Sequence, residues 1–159
     1  MAESKAPQGP PRGLVGFDDQ TVNDLEFSTI RQLLEDHCTS DAARRKAQTL
    51  EPSAHRPTVT SALQSTDELR RIRVEGHTFP TLVFEEIRGE IKLLEVSGSA
   101  LTEAGFMRVL QSTRLVNDIV GALHGRERAF PRLCGMLGTV SENKEIVKEI
   151  EAVFDPKGG

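Results

Sequence analysis

Four histidines, two cysteines and a surplus of carboxylates are the residues of this chain that could do chemistry, and their spacing decides whether they do. His37, His55, His77 and His124 are scattered. No two share the i, i+4 spacing that sets two imidazoles on one helix face, and no cysteine stands at ligand spacing from any of them, so no zinc site is expected. Cys38 and Cys134 fall in apolar-periodic positions and read as buried, reduced packing residues. Gly135, Gly138 and the distant Lys144 lack the order of a phosphate-binding loop, in which glycines wrap the phosphates and a following lysine reaches them. Among the carboxylates, Asp18-Asp19 and Glu85-Glu86 are adjacent pairs. Glu142, Glu145, Glu149 and Glu151 alternate with Lys144 and Lys148, the pattern of a solvated helix face rather than of an acid and base in a cleft. No catalytic, cofactor-binding or metal-ligating residue emerges, and the chain is expected not to be an enzyme.

Two basic clusters remain, Arg44-Arg45-Lys46 and Arg70-Arg71 with Arg73. On exposed helix faces such side chains grip phosphates without reading sequence, which makes all six candidate nucleic-acid contacts. The blander reading is a solvated or salt-bridged surface, and Asp67 and Glu68 lie within a turn of the second cluster. A net charge of -4 excludes the globally basic surface of a stand-alone nucleic-acid binder, but not a local patch.

These residues must be positioned by helices. The 159 residues are enough for one domain, and 37% hydrophobic with 28% charged residues fits a soluble globular chain. With no Trp or Tyr and seven Phe, its core must be mostly aliphatic. From Phe27 onward the apolar positions keep the helical period. Phe27, Ile30, Leu33, Leu34, His37 and Cys38 mark a first helix. Ser40 caps a second, which buries Ala43, Ala47 and Leu50 and ends at Pro52. A third starts between Ser53 and Pro57, turns Val59, Ala62, Leu63, Thr66, Leu69 and Ile72 inward, and ends near Gly76. An extended connector with Leu82 and Val83 leads into a helix on Phe84, Ile87, Ile91 and Leu94.

Thr102 then caps the longest helix, which runs to about Leu123 with Phe106, Val109, Leu110, Thr113, Val116, Val120 and Leu123 on one face. Met107, Leu115 and Ile119 form a second apolar line on it, a candidate partner face. A short helix follows on Phe130, Leu133, Cys134 and Leu137. Ser141 caps the last, which carries Ile146, Val147, Ile150 and Phe154 and stops at Asp155-Pro156. The expected fold is an all-α, irregular bundle of six or seven mostly short helices, with one longer helix near residues 102–124. Residues 1–20 are expected to be a flexible tail or an expression remnant, 21–156 the helical domain, and 157–159 a truncated end. No run of about 18 apolar residues occurs, so no membrane partner is expected, and the Pro- and Gly-rich start lacks a secretory core, which points to the cytoplasm.

The order of these pieces resembles the N-terminal region of the second bacterial MutS family. Leu25-Glu26-Phe27, the Thr39-Ser40 cap, the Leu50-Glu51-Pro52-Ser53 turn, Glu86-Ile87-Arg88, Gly98 and the Thr102–Leu123 helix follow that family's sequence of motifs, over roughly residues 22–156. Asp41 departs from it, standing where the family commonly has glycine or another small residue. The resemblance implies a core or lever-type module of a longer parent carrying a MutS-type ATPase, with ATP and Mg bound there, and a small MutS-related nuclease domain. It further implies a parent that binds branched DNA, suppresses homologous recombination or acts on stalled ribosomes. The implied partners are the rest of the parent chain, a homodimer mate, and DNA or the ribosome reached through the parent. Phe84-x-Glu86 copies the Phe-x-Glu with which mismatch-repair MutS proteins stack on a mispaired base. That motif belongs to a domain absent from this branch, so a core Phe beside an acid at a helix start is expected here. The alternative from another class is a stand-alone helical interaction or dimerisation domain.

Overall fold

The structure is a computed structural model that describes residues 17–154. Among these it holds eight α-helices and no strand: α1 (Asp19–Asp24), α2 (Phe27–Asp36), α3 (Asp41–Gln48), α4 (Arg56–Val74), α5 (Arg88–Leu94), α6 (Glu103–Leu123), α7 (Pro131–Leu137) and α8 (Lys144–Val153). The chain is all-α, as its periodicity requires, and the one helix beyond the expected six or seven is α1. It begins inside the last residues of the expected tail. Most of that tail, the expected stop at Asp155-Pro156 and the end at 157–159 lie outside the described residues.

Local chemistry starts several helices where the sequence places them. The Ser40 hydroxyl accepts from the Ala43 amide at 3.2 Å to open α3, and the Thr102 hydroxyl accepts from the Gly105 amide at 3.2 Å to open α6. Each satisfies an amide that has no partner inside its own helix. Thr102→Ala is therefore expected to cost about 1 kcal/mol of stability, read by urea denaturation. An unchanged midpoint would mean that solvent caps α6 equally well. Glu26 turns α1 into α2 with a left-handed φ of 49°, a conformation that disfavours a side chain and makes the junction a sharp one.

Packing falls into connected groups. α1 and α3 both lie against α2, α4 lies against α7, and α6 carries both α7 and α8. One core cluster joins Ile72 of α4, Leu123 of α6 and Phe130 at the start of α7, with Phe79, Ile119, Leu133, Cys134 and Leu137 around it. The other joins Val109 and Leu110 of α6 to Ile150 of α8, edged by Leu101, Phe106, Val147 and Phe154. Cys38 and Cys134 are free but only half-buried, where full burial is expected from the sequence. Burial still pushes the Cys134 thiol above its ordinary 9.0, and the negative charges of Glu127 and Glu68 push it the same way.

Several expected details shift. The helix expected from Phe84 begins only at Arg88. Residues 82–87 form an irregular, non-helical strap, tied down where the Thr39 hydroxyl donates to the Leu82 carbonyl at 3.1 Å and Arg45 pairs with Glu86. Phe84 is consequently 42% exposed and is not a core residue at a helix start. The last helix is capped by Asn143 rather than Ser141. The Asn143 side chain accepts from the Ile146 amide, while its own amide donates to Asn117 of α6 at 2.7 Å and fixes the position of the cap. On α4 the buried face is rotated. Ile72 is buried and Val59 and Leu69 half-buried as expected, but Leu63, Ala62 and Thr66 face outward and Glu68 takes a buried place.

Candidate nucleic-acid interface

The six candidate cations lie on two helices that belong to different packing groups. Near the end of α4, Arg70 donates from Nε and a terminal nitrogen to one Asp67 oxygen at 3.1 and 2.8 Å. Arg71 donates to Glu75 at 3.1 Å and lays its guanidinium 5.5 Å from the centre of the Phe130 ring, which half-buries it. The hydrogen bond from Arg71 is the main reason the Glu75 carboxyl is held below its usual range. On α3, Arg44 pairs with Asp41 at 3.3 Å and Arg45 with Glu86 of the strap. Arg73 and Lys46 are exposed and make no ion pair among the described residues.

These side chains therefore divide into three kinds. Arg71 is built into the α4–α7 junction and has little freedom to reach a phosphate. Arg44, Arg45 and Arg70 are at least half-exposed in pairs that contribute only about 0.2–1 kcal/mol each, so a phosphate can displace the carboxylate at little cost. Arg73 and Lys46 are ready as they stand. Arg132 of α7 is a cation that sequence reasoning misses. Its Nε donates to Gln64 at 2.9 Å, and it lines, with Arg71, Asp67 and Glu68, a groove of about 580 Å³ between α4 and α7. The two acids in that groove offset its cations.

The second apolar line of α6 is divided. Ile119 packs onto the Ile72–Leu123–Phe130 cluster, and Leu115 with Ile119 lines a groove of about 450 Å³ beneath Phe84 and Ile87 of the strap. Met107 stands apart at 37% exposure. Among the described residues no group of three or more His, Cys, Asp or Glu is placed to hold a metal ion, and no helix is long and apolar enough to cross a membrane.

Comparison with known proteins gives one informative likeness. The chain is 26% identical over 137 residues to Endonuclease MutS2 of Geobacillus sp. (strain WCH70). It is similar to part of a MutS2 protein. The alignment takes in 84% of this chain and only 17% of that relative. No family model and no solved structure matches the chain.

One ion pair links the strap and α5 to α6. Arg108 donates from Nε to Glu90 at 2.7 Å, with Glu85 3.9 Å away. The hydrogen bond from Arg108 pulls the Glu90 carboxyl below its ordinary 4.5. A carboxylate with a depressed folded pKa contributes stability that is complete above the unfolded value and is lost as pH falls through the folded value. The thermal midpoint is therefore expected to drop below pH 4.5 more steeply in the parent than in Arg108→Gln, as read by circular dichroism across an acid series. Parallel curves would remove Glu90 from the acid limb.

Proposed function

We propose that this chain is a non-catalytic helical module, of core or lever type, from a MutS-family ATPase that binds branched DNA, suppresses recombination or acts on stalled ribosomes in the cytoplasm. The observation that carries the reading is the 137-residue likeness to MutS2, which runs through most of the helical domain. ATP and Mg would then belong to another domain of the parent.

The geometry suits such work. α6 has 21 residues, about 30 Å at 1.5 Å per residue, and it carries α7 and α8 on its flanks, so it moves as a rod that takes both with it. The α1–α3 group is tied to the strap by Thr39–Leu82 and Arg45–Glu86. Exposed polar ties of this kind exchange more easily than packed apolar contacts. Lys46 and Arg73 are the first phosphate contacts in this reading, with Arg44, Arg45 and Arg70 recruited as their acids are displaced.

Fluorescence anisotropy of a labelled four-way junction and a plain duplex, across a salt series, tests it. Binding is expected to weaken with salt, and Lys46→Ala with Arg73→Ala to lower the logarithmic salt slope by about 2, one for each phosphate released. A folded sample that binds neither DNA at low salt would leave the module purely mechanical. The second reading, a stand-alone interaction or dimerisation domain, draws on exposed apolar residues such as Leu33 and Met107. A concentration-dependent dimer in sedimentation equilibrium, without DNA binding, would favour it.

A further inference from the structure

α2 buries none of its residues, although its apolar positions keep the helical period. Its half-buried side chains are Phe27, Arg31 and Glu35, followed by Cys38 just beyond its end. These lie along one side, and that side meets α3: Gln48 of α3 donates to Glu35 at 2.5 Å, and Arg31 donates to the Gln48 carbonyl at 3.3 Å. Ile30, Leu33 and Leu34 occupy the adjoining side at 44%, 58% and 43% exposure, with His37 continuing the line. This is the i, i+3, i+4, i+7 stripe by which one helix receives another.

The unpaired charges at the two ends of α2 have one sign: Asp24 and Glu26, just before it, and Asp36, its last residue, are exposed, and none makes an ion pair among the described residues. Arg31, the one cation of α2, faces α3 and lies 5.7 Å from the centre of the Phe27 ring. A second copy is a poor occupant, because antiparallel pairing across a two-fold axis sets Glu26 of one α2 against Asp36 of the other. An anionic lipid surface is repelled by the same carboxylates. We propose that the open face of α2 docks a basic amphipathic helix, whose leucine-like stripe covers Ile30, Leu33 and Leu34 while its flanking Lys or Arg meet Asp24, Glu26 and Asp36. Charge complementarity of this kind selects the partner and its orientation, while the apolar stripe supplies the affinity. The ten residues of α2 are about 15 Å long, which matches three turns of a partner helix. The inference stands on the geometry of α2 and does not depend on the nucleic-acid reading.

The test uses the full chain and a labelled amphipathic Leu/Lys peptide followed by fluorescence anisotropy. Two controls are a scrambled peptide of the same composition with no apolar face and a Leu/Glu peptide with the same apolar face. The Leu/Lys helix is expected to bind about tenfold more tightly than either control. Leu33→Gln, at a position already exposed, is expected to weaken it about tenfold without changing the thermal midpoint, and Asp24→Asn with Asp36→Asn to weaken it about threefold with a flatter salt dependence. Equal binding of the scrambled peptide, or unchanged binding by Leu33→Gln, would overturn the proposal. So would self-association in sedimentation equilibrium that Leu33→Gln abolishes, which would give the face to a second copy.

Discussion

Phe130→Ala is expected to remove about 3–5 kcal/mol of stability, a large share of the roughly 5–15 kcal/mol that holds a domain folded. Phe130 is 1% exposed and is the largest side chain that the fold encloses completely. It is where α4, α6 and α7 meet, through Ile72, Leu123, Leu133 and Leu137, and Phe79 of the segment after α4 packs at the same point. The His77 ring meets it edge-on at 5.7 Å and the Arg71 guanidinium covers its face, so truncation also removes two aromatic contacts. Among the described residues the buried apolar core consists of six side chains in two clusters, with Ala47 apart, and no second aromatic is buried to take over. Urea denaturation followed by far-UV circular dichroism measures the loss. Phe130→Leu, which keeps much of the volume and gives up the ring contacts, is expected to lose less than half as much. A Phe130→Ala variant within about 1 kcal/mol of the parent would mean that α4, α6 and α7 are joined mainly by something other than this cluster.

What the sequence discloses and what it hides divide along the range of the interactions. Ser40 and Thr102 cap helices through bonds three residues away, so a reader of the chain finds both. The stripe from Phe106 to Leu123 is legible in most of its positions for the same reason, since its period is local, but Val116 on it is exposed and Ile119 of the second line takes a place against the core instead. The start of α5 is hidden because Thr39 and Arg45, more than forty residues upstream, hold the strap out of the helix that its pattern suits. Asn143 displaces Ser141 as a cap through Asn117, which is 26 residues away. The candidate site divides in the same manner. Arg70, Arg71 and Arg73 look alike in sequence, yet one is held loosely by Asp67, one is laid over the Phe130 ring and one is open. Nothing in their order separates them. Glu68 is the clearest case, since it reads as a neutralising neighbour of the arginines and in the fold it serves a different helix.

Glu68→Ala is expected to cost about 2–3 kcal/mol, a large effect for a charged residue on a helix. α7 starts with Pro131, which has no amide hydrogen, and its cap residue Phe130 has no polar side chain, so the Arg132 and Leu133 amides have no local acceptor. Glu68 of α4 supplies one from 64 residues away. Its two oxygens accept from the Arg132 amide at 3.1 and 3.0 Å, and one also accepts from the Leu133 amide at 2.9 Å. The carboxylate is 6% exposed, and its charge sits at the positive end of the α7 dipole, where an anion is stabilised. Alanine removes all three bonds and leaves two amides facing the space the carboxylate occupied. Glu68→Gln keeps one oxygen as an acceptor but loses the charge and one of the two acceptors, so about half the penalty is expected. Urea denaturation gives the magnitude, and hydrogen exchange locates it, because faster exchange should appear first at the Arg132 and Leu133 amides. Loss of stability without that local change would mean that Glu68 acts through the packing of α4. A change below about 0.5 kcal/mol would mean that water caps α7 as well as Glu68 does, and the junction would rest on Phe130 alone.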